Sequence, residues 1–296
     1  KMRELGVKVR LFDRGTGVGG TWYWNRYPGA RFDSESYSYA YSFSEELLEE
    51  WDWSEHFASQ PEILRYLEHM ADKFNLYEDI QFSSDVQSAI YNDNNRHWDI
   101  TLQDGKIYRS RFLITGVGIL SQPTLPKING IESFEGQSFH TARWPHTPVE
   151  FEGKRVAVIG TGASGVQVIQ EVCKEAGHLT VFQRRPNWCA PLHNSKIDAE
   201  EMEVIRSGYD KMFERCNQTL AGFLHTVDSR NTFEVSDAER YALWEHLYAS
   251  KGFGTWQANF KDMLVDSKAN KAMSAFVANK IRERVNDPEI AEKLIP

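Results

Sequence analysis

A chain of 296 residues with a net charge of −8, 41% hydrophobic and 26% charged residues can pack a core and has no cationic surplus. Disorder is thereby disfavoured, and so is nucleic acid as a partner, because phosphates need a basic surface to neutralise them. No apolar run reaches membrane-span length, the N-terminal residues are not a signal peptide, and Cys173, Cys189 and Cys216 have no disulfide, dithiol or zinc-site spacing.

These exclusions predict a cytoplasmic protein with no metal and no membrane partner. Along the chain, Met2 and Leu5 read as the end of a helix and Gly6 as its turn. Val7 to Phe12 reads as a buried strand ending at Asp13 and opening into GTGVGG. That is the second half of a β-α-β unit, so the chain is expected to begin inside a helix, with a first strand and glycine turn before Lys1. Ser44 to Trp53 reads as a short acidic helix. Ser59-Gln-Pro-Glu62 has the capping-box pattern ahead of Ile63, Leu64, Leu67, Met70, Ala71 and Phe74 at helical spacing.

The period then changes. Phe82, Val86 and Ile90, then Trp98 to Leu102, a turn at Asp104-Gly105 and Ile107 predict an antiparallel meander. Phe112 to Thr115 is predicted as a buried strand running into Gly116-Val-Gly118. Residues 121–155, with Pro123, Pro126, Pro145 and Pro148, are aperiodic and read as linker. Arg155 to Ile159 is a second strand of parallel type, followed by a glycine turn, a helix to about Ala176 and a strand at Leu179 to Phe182. From Asp198 to Asp287 the pattern is helical, with a second capping box at Ser236-Asp-Ala-Glu239.

Gly160, Gly162 and Gly165 form a G-x-G-x-x-G between a strand and a helix. The first glycine permits the tight turn, the second admits a pyrophosphate to the backbone, and the third lets helix and strand pack closely. The following strand ends in Gln183-Arg184-Arg185. An acid there would favour NAD, whereas two arginines offer charged forks to the 2′-phosphate of NADP. Asp13 occupies the corresponding ribose-binding position after the earlier strand.

Two further segments carry a resemblance. Gly19-Gly20-Thr21-Trp22 with Tyr27-Pro28-Gly29-Ala30-Arg31-Phe32-Asp33, and Phe134-x-Gly136-x-x-x-His140-x-x-x-Trp144-Pro145, resemble the sequence signatures of the Baeyer–Villiger monooxygenases. The resemblance runs from Lys1 to Pro296. It implies an α/β fold of two Rossmann-like dinucleotide-binding domains (three-layer ββα/βαβ type) with a helical insertion, truncated at both ends. Residues 1–120 would be a partial FAD-binding domain, 121–185 the linker and NADP-binding Rossmann half, and 186–296 the helical insertion in the NADP domain.

The implied cofactors are FAD and NADP, and the implied partners a small ketone and O₂, with one oxygen atom inserted beside the carbonyl to give an ester or lactone. Asp13, Thr21, Trp22, Tyr23, Trp24, Asp33, Tyr39 and Val86 fall on flavin-binding positions, and Arg31 and Asp33 also border the nicotinamide. Thr161, Gly162, Ala163, Ser164, Gly165, Val166 and Gln167, with Arg184 and Arg185, fall on the NADP-binding segment. Asp33, His140 and Trp144 form the catalytic set: Asp33 orients a cationic partner, and the other two couple the domains rather than move protons.

The family's active-site arginine follows the segment resembling Val285 to Pro296, so its role is transferred to no arginine here. Residues 1–296 alone are therefore expected not to oxygenate ketones. Two alternatives stay open: a flavin-containing monooxygenase acting on nitrogen or sulfur, and a non-catalytic nucleotide-binding fragment.

Overall fold

The computed structural model describes residues 2–219 and 221–296; Lys1, from which the resemblance was counted, lies outside them. In chain order the elements are β1 (Leu11–Phe12), α1 (Thr21–Trp24), α2 (Glu45–Glu50), α3 (Gln60–Lys73), β2 (Ile80–Gln81), β3 (Val86–Asn92), β4 (His97–Leu102) and β5 (Ile107–Ser110). They continue with β6 (Arg155–Ile159), α4 (Ala163–Val172), β7 (His178–Phe182), α5 (Ala199–Ser207), α6 (Tyr209–Gln218), α7 (Asp237–Ala249), α8 (Gly254–Gln257), α9 (Ser267–Arg284) and α10 (Pro288–Leu294). The fold is mixed α/β, and it divides into two compact units: Lys1–Tyr27 with Gln60–Val149, and Pro28–Ser59 with Glu150–Pro296.

In the first unit, Gly6 at φ 70 closes the turn read from sequence. The strand after it is shorter than predicted, because only Leu11 and Phe12 find partners, pairing in parallel with Ile80 and Gln81. The meander forms as predicted: β3, β4 and β5 pair antiparallel, with a register shift between Val86 and Ser88. α3 buries Ile63, Leu67 and Ala71, together with Gln60, Glu62 and Tyr66. The predicted strand at Phe112 to Thr115 is absent. A strand exists by pairing, no described segment pairs with these residues, and Phe112 and Ile114 stand 71% and 74% exposed.

In the second unit, β6 and β7 pair in parallel from Arg155↔His178 to Ile159↔Phe182, with α4 as the crossover. α7 opens with the predicted capping box, since the Ser236 hydroxyl accepts from the Glu239 N–H and the Glu239 carboxylate accepts from the Ser236 N–H. The helical region is not continuous; residues 221–235 interrupt it between α6 and α7. Its core gathers Trp244, Phe260, Met263, Met273, Phe276 and Val277. Burying side chains of this size stabilises by roughly 1.5–3 kcal/mol each. Trp244 donates its indole N–H to the buried Asn259 Oδ1 at 3.0 Å, so the polar edge of the ring is satisfied. No helix among the described residues is long and apolar enough to cross a membrane.

Candidate nucleotide and active site

The glycine turn has three physically different positions. Gly160 holds φ 103, a backbone open to glycine at little cost, and nothing lies within 4 Å of where its Cβ would be. Gly162 caps α4 at φ −73 and also faces open space, leaving room for a ligand to approach the backbone. A Cβ on Gly165 would instead collide with the Gly160 carbonyl oxygen, so helix and turn touch there. The first-turn N–H groups of Ala163, Ser164 and Gly165 have no acceptor within the helix, which leaves donors and positive dipole for an anion. Val166 starts the helical ladder by donating to Gly162 O at 3.0 Å.

Around this turn, Thr161 Oγ1 donates to Arg185 O at 3.3 Å, and Asn187 donates to Thr161 O at 2.7 Å. Arg184 and Arg185 are exposed, and among the described residues neither guanidinium is held by a hydrogen bond or an ion pair. Open backbone at Gly162 beside two uncommitted guanidiniums fits the phosphates of NADP.

The same unit brings the Pro28–Asp33 loop onto α4. Gly29 has φ 80, and a Cβ there would meet Gln167 O at 2.6 Å and Glu171 Cγ at 2.9 Å. Gln167 Nε2 donates to Arg31 O at 3.3 Å and to Asp33 Oδ1 at 3.4 Å. Desolvation by its surroundings pushes the Asp33 carboxyl above the ordinary carboxylate range, although the residue is exposed. Arg31 makes an ion pair with Glu55 at 2.9 Å and a bond to Phe57 O at 3.0 Å. Asn194 completes that knot, donating to Glu55 Oε2 at 2.8 Å. Tyr39 is exposed, with its ring 3.9 Å from that of Phe32.

In the first unit, Asp13 Oδ1 accepts the Gly15 N–H at 2.6 Å, which leaves Oδ2 without a partner among the described residues. That remaining oxygen suits a ribose hydroxyl, as an acid at this strand end requires. Tyr23 is buried and its hydroxyl lies 2.6 Å from Thr16 Oγ1, bracing the glycine loop from inside. Thr21 opens α1, exposed, and the Trp22 carbonyl accepts from Gln60 Nε2 at 2.5 Å. Val86, 41% exposed, opens β3 opposite Leu102.

The signature residues have local roles. His140 Nδ1 accepts the Ala142 N–H at 3.1 Å, capping the turn Thr141–Arg143, so a neutral ring carries its proton on Nε2. Trp144 packs on Phe139 with centroids 5.3 Å apart. Arg143 places its guanidinium 4.6 Å from the Trp24 ring centre. Sequence reasoning had singled out neither Arg143 nor Arg14, which also reaches Trp24; no spacing rule marks a cation–π pair between residues so far apart in the chain. Glu55 was missed for the same reason.

The family model described as FMO-like, flavin-binding monooxygenase-like, matches residues 4–244. The chain belongs to this flavin-binding monooxygenase-like family. Among its relatives, a 2-oxo-Delta(3)-4,5,5-trimethylcyclopentenylacetyl-CoA monooxygenase of Pseudomonas putida is 46% identical over 100% of this chain and 55% of its own length. A phenazine N-monooxygenase of Lysobacter antibioticus is 42% identical over 99% of this chain and 54% of its own. A cyclopentanone 1,2-monooxygenase of a Comamonas strain is also 42% identical, over 100% of this chain and 54% of its own.

The crystal structure of OTEMO complexed with FAD and NADP matches at a TM-score of 0.96 and 46% identity, covering 100% of this chain and 56% of that one. The resemblance read from the signatures and the α/β fold expected from it are borne out. The chain spans about half the length of the curated relatives it matches.

Proposed function

We propose that the protein is an FAD- and NADPH-dependent Baeyer–Villiger monooxygenase that converts a small ketone and O₂ into an ester or lactone. The observation that carries the reading is the juxtaposition within one unit of the open glycine turn, Arg184 and Arg185 with no ion pair among the described residues, and an Asp33 carboxylate held from α4 by Gln167. When bound, the two cofactors supply hydride transfer and oxygen activation. The chain's own residues do the rest. The Gly162–Gly165 turn and Arg184 bind and select the coenzyme, Asp13 Oδ2 accepts from a ribose hydroxyl, and the loop packed at Gly29 fixes Asp33 relative to α4. A cyclopentanone monooxygenase among the relatives, and the complex of OTEMO with FAD and NADP, support ketone oxygenation and both cofactors.

Nitrogen oxygenation is the second reading, favoured by the phenazine N-monooxygenase at 42% identity. Protein expressed from the complete gene separates the two. With FAD and NADPH it is to be given cyclopentanone, cyclohexanone and phenazine, and the products analysed by mass. Ester or lactone supports the first reading, an N-oxide the second, and NADPH oxidation yielding only peroxide overturns both. The three cysteines form no disulfide, which supports a cytoplasmic location.

A further inference from the structure

Asp33 stands exposed at the edge of a segment whose next three residues, Ser34, Glu35 and Ser36, are all buried. The geometry of an exposed carboxylate is set by what holds the chain on either side of it. On one side the anchors are Gly29 and Gln167, both against α4. On the other, Ser36 is tied within its own loop: its N–H donates to His56 O at 2.7 Å, and its hydroxyl oxygen accepts the Ala58 N–H at 2.7 Å. Glu35, between Asp33 and that tie, reaches a different part of the unit.

Glu35 is 4% exposed, and its Oε1 lies 3.1 Å from Nε2 of His225, in the connection between α6 and α7. The pair has ion-pair distance without the alignment of a hydrogen bond, so the attraction is one of charge. Oε2 has no hydrogen-bond partner among the described residues. The turn after α7 closes a second side: Gly252 holds φ 75, and a Cβ there would lie 2.7 Å from Glu35 Oε1. Tyr37 and Cys216 also feel the carboxylate. Burial first, and then the charge of Glu35, push the phenol and the thiol up.

A buried carboxylate with one oxygen unbonded costs the fold stability, and a glutamine of the same shape would cost less. A half-satisfied charge of this kind needs a reason other than stability. We propose that Glu35 is a positioning residue: paired with His225, it clamps the segment carrying Asp33 to the α6–α7 connection and so fixes where the acid stands. Its part in turnover rests on the monooxygenase reading above; the clamp does not.

Protein expressed from the complete gene is compared as wild type, Glu35→Gln, His225→Gln and the double variant. Melting temperature reads the charge pair. His225→Gln alone strands a buried anion and is expected to melt several degrees lower, whereas Glu35→Gln and the double variant melt at or above wild type. Hydrogen exchange at the amides of residues 31–36, followed by mass spectrometry, reads the clamp, and about tenfold faster exchange is expected in Glu35→Gln. With a ketone that wild type oxygenates, Glu35→Gln should lower kcat about tenfold, with KM for NADPH and flavin content unchanged.

A variant both as stable as wild type and slower is not what a purely structural side chain gives. A lower melting temperature in Glu35→Gln, an unaltered one in His225→Gln, or unchanged exchange at residues 31–36 overturns the clamp and makes Glu35 an ordinary buried side chain. Faster exchange with an unchanged kcat overturns the role in turnover. Faster exchange in a protein whose wild type oxygenates no ketone upholds the clamp and sinks the ketone reading instead.

Discussion

Gln167, one turn into α4, donates to the Asp33 carboxylate at 3.4 Å and to the Arg31 carbonyl at 3.3 Å. The helix that begins at the glycine turn thus reaches the acid proposed to do chemistry. Both bonds are long, so the tie is weak and adjustable. Gln167→Leu, which keeps the bulk, is expected to lower kcat for ketone oxygenation by about three- to tenfold, the scale of one modest hydrogen bond, with flavin content unchanged. Steady-state kinetics with NADPH in excess check it; an unaltered kcat would mean that Asp33 is held by its own loop.

Desolvation raises the Asp33 carboxyl above its ordinary range, so its ionised form is lost earlier as pH falls. An activity that needs the carboxylate should therefore rise with pH through that raised value and level off above it. Asp33→Asn should remove this limb of the kcat/KM profile along with most of the activity. A variant that stays active and keeps the limb would assign the titration to another group.

Gly29→Ala combines a left-handed backbone with a clash against Gln167 O, an atom fixed within a helix. The expected loss is about 2–4 kcal/mol of unfolding free energy, from strain and overpacking together. Urea denaturation followed by helical circular dichroism measures it, and a loss below about 1 kcal/mol would show that the loop can lift away from α4.

Arg184→Ala is expected to weaken NADPH use about tenfold or more and to leave NADH nearly unaffected, because only the 2′-phosphate distinguishes the two. Competition kinetics with both coenzymes decide this. Equal losses would place the guanidinium elsewhere on the nucleotide.

His56 is 4% exposed, with Nε2 2.7 Å from Lys251 Nζ and 3.1 Å from Glu201 Oε1. Burial, then the Lys251 charge, lower its pKa, against an opposing pull from Glu201 and Glu35. The unfolded chain takes up this proton near pH 6.5 and the folded chain only at lower pH. Stability from this group is thus complete above about pH 6.5 and falls as pH drops towards the folded value. Melting temperatures of wild type and His56→Gln across pH 5–8 test the sign, and a parallel decline in both would clear His56 of responsibility.

Much of this was legible in the chain. Periodicity and caps located α3, the meander, the β6–α4–β7 crossover and the capping box at Ser236, because those elements are set by contacts near in sequence. Phe112 to Thr115 failed because its apolar run specifies a strand only if a partner exists to pair with it. The site residues were readable as types in a pattern, but their partners were not. Nothing in the sequence shows that Arg31 is committed to Glu55, that Gly29 is pressed on Gln167, or that Arg143 shares a ring with Arg14. Each of those pairs joins distant parts of the chain.

The three glycines of the turn before α4 are maintained by different pressures. Replacing Gly160 or Gly165 damages the protein whether or not it ever meets a coenzyme, because one needs its backbone angle and the other its contact. Gly162 has an ordinary φ and empty space where a side chain would grow. On the coenzyme reading proposed above, only the ligand would forbid a larger residue there. On that reading, a descendant of this gene released from the proposed reaction could drift at position 162 without misfolding. A lineage with the outer glycines intact and a bulky residue between them would have kept the scaffold and given up the chemistry.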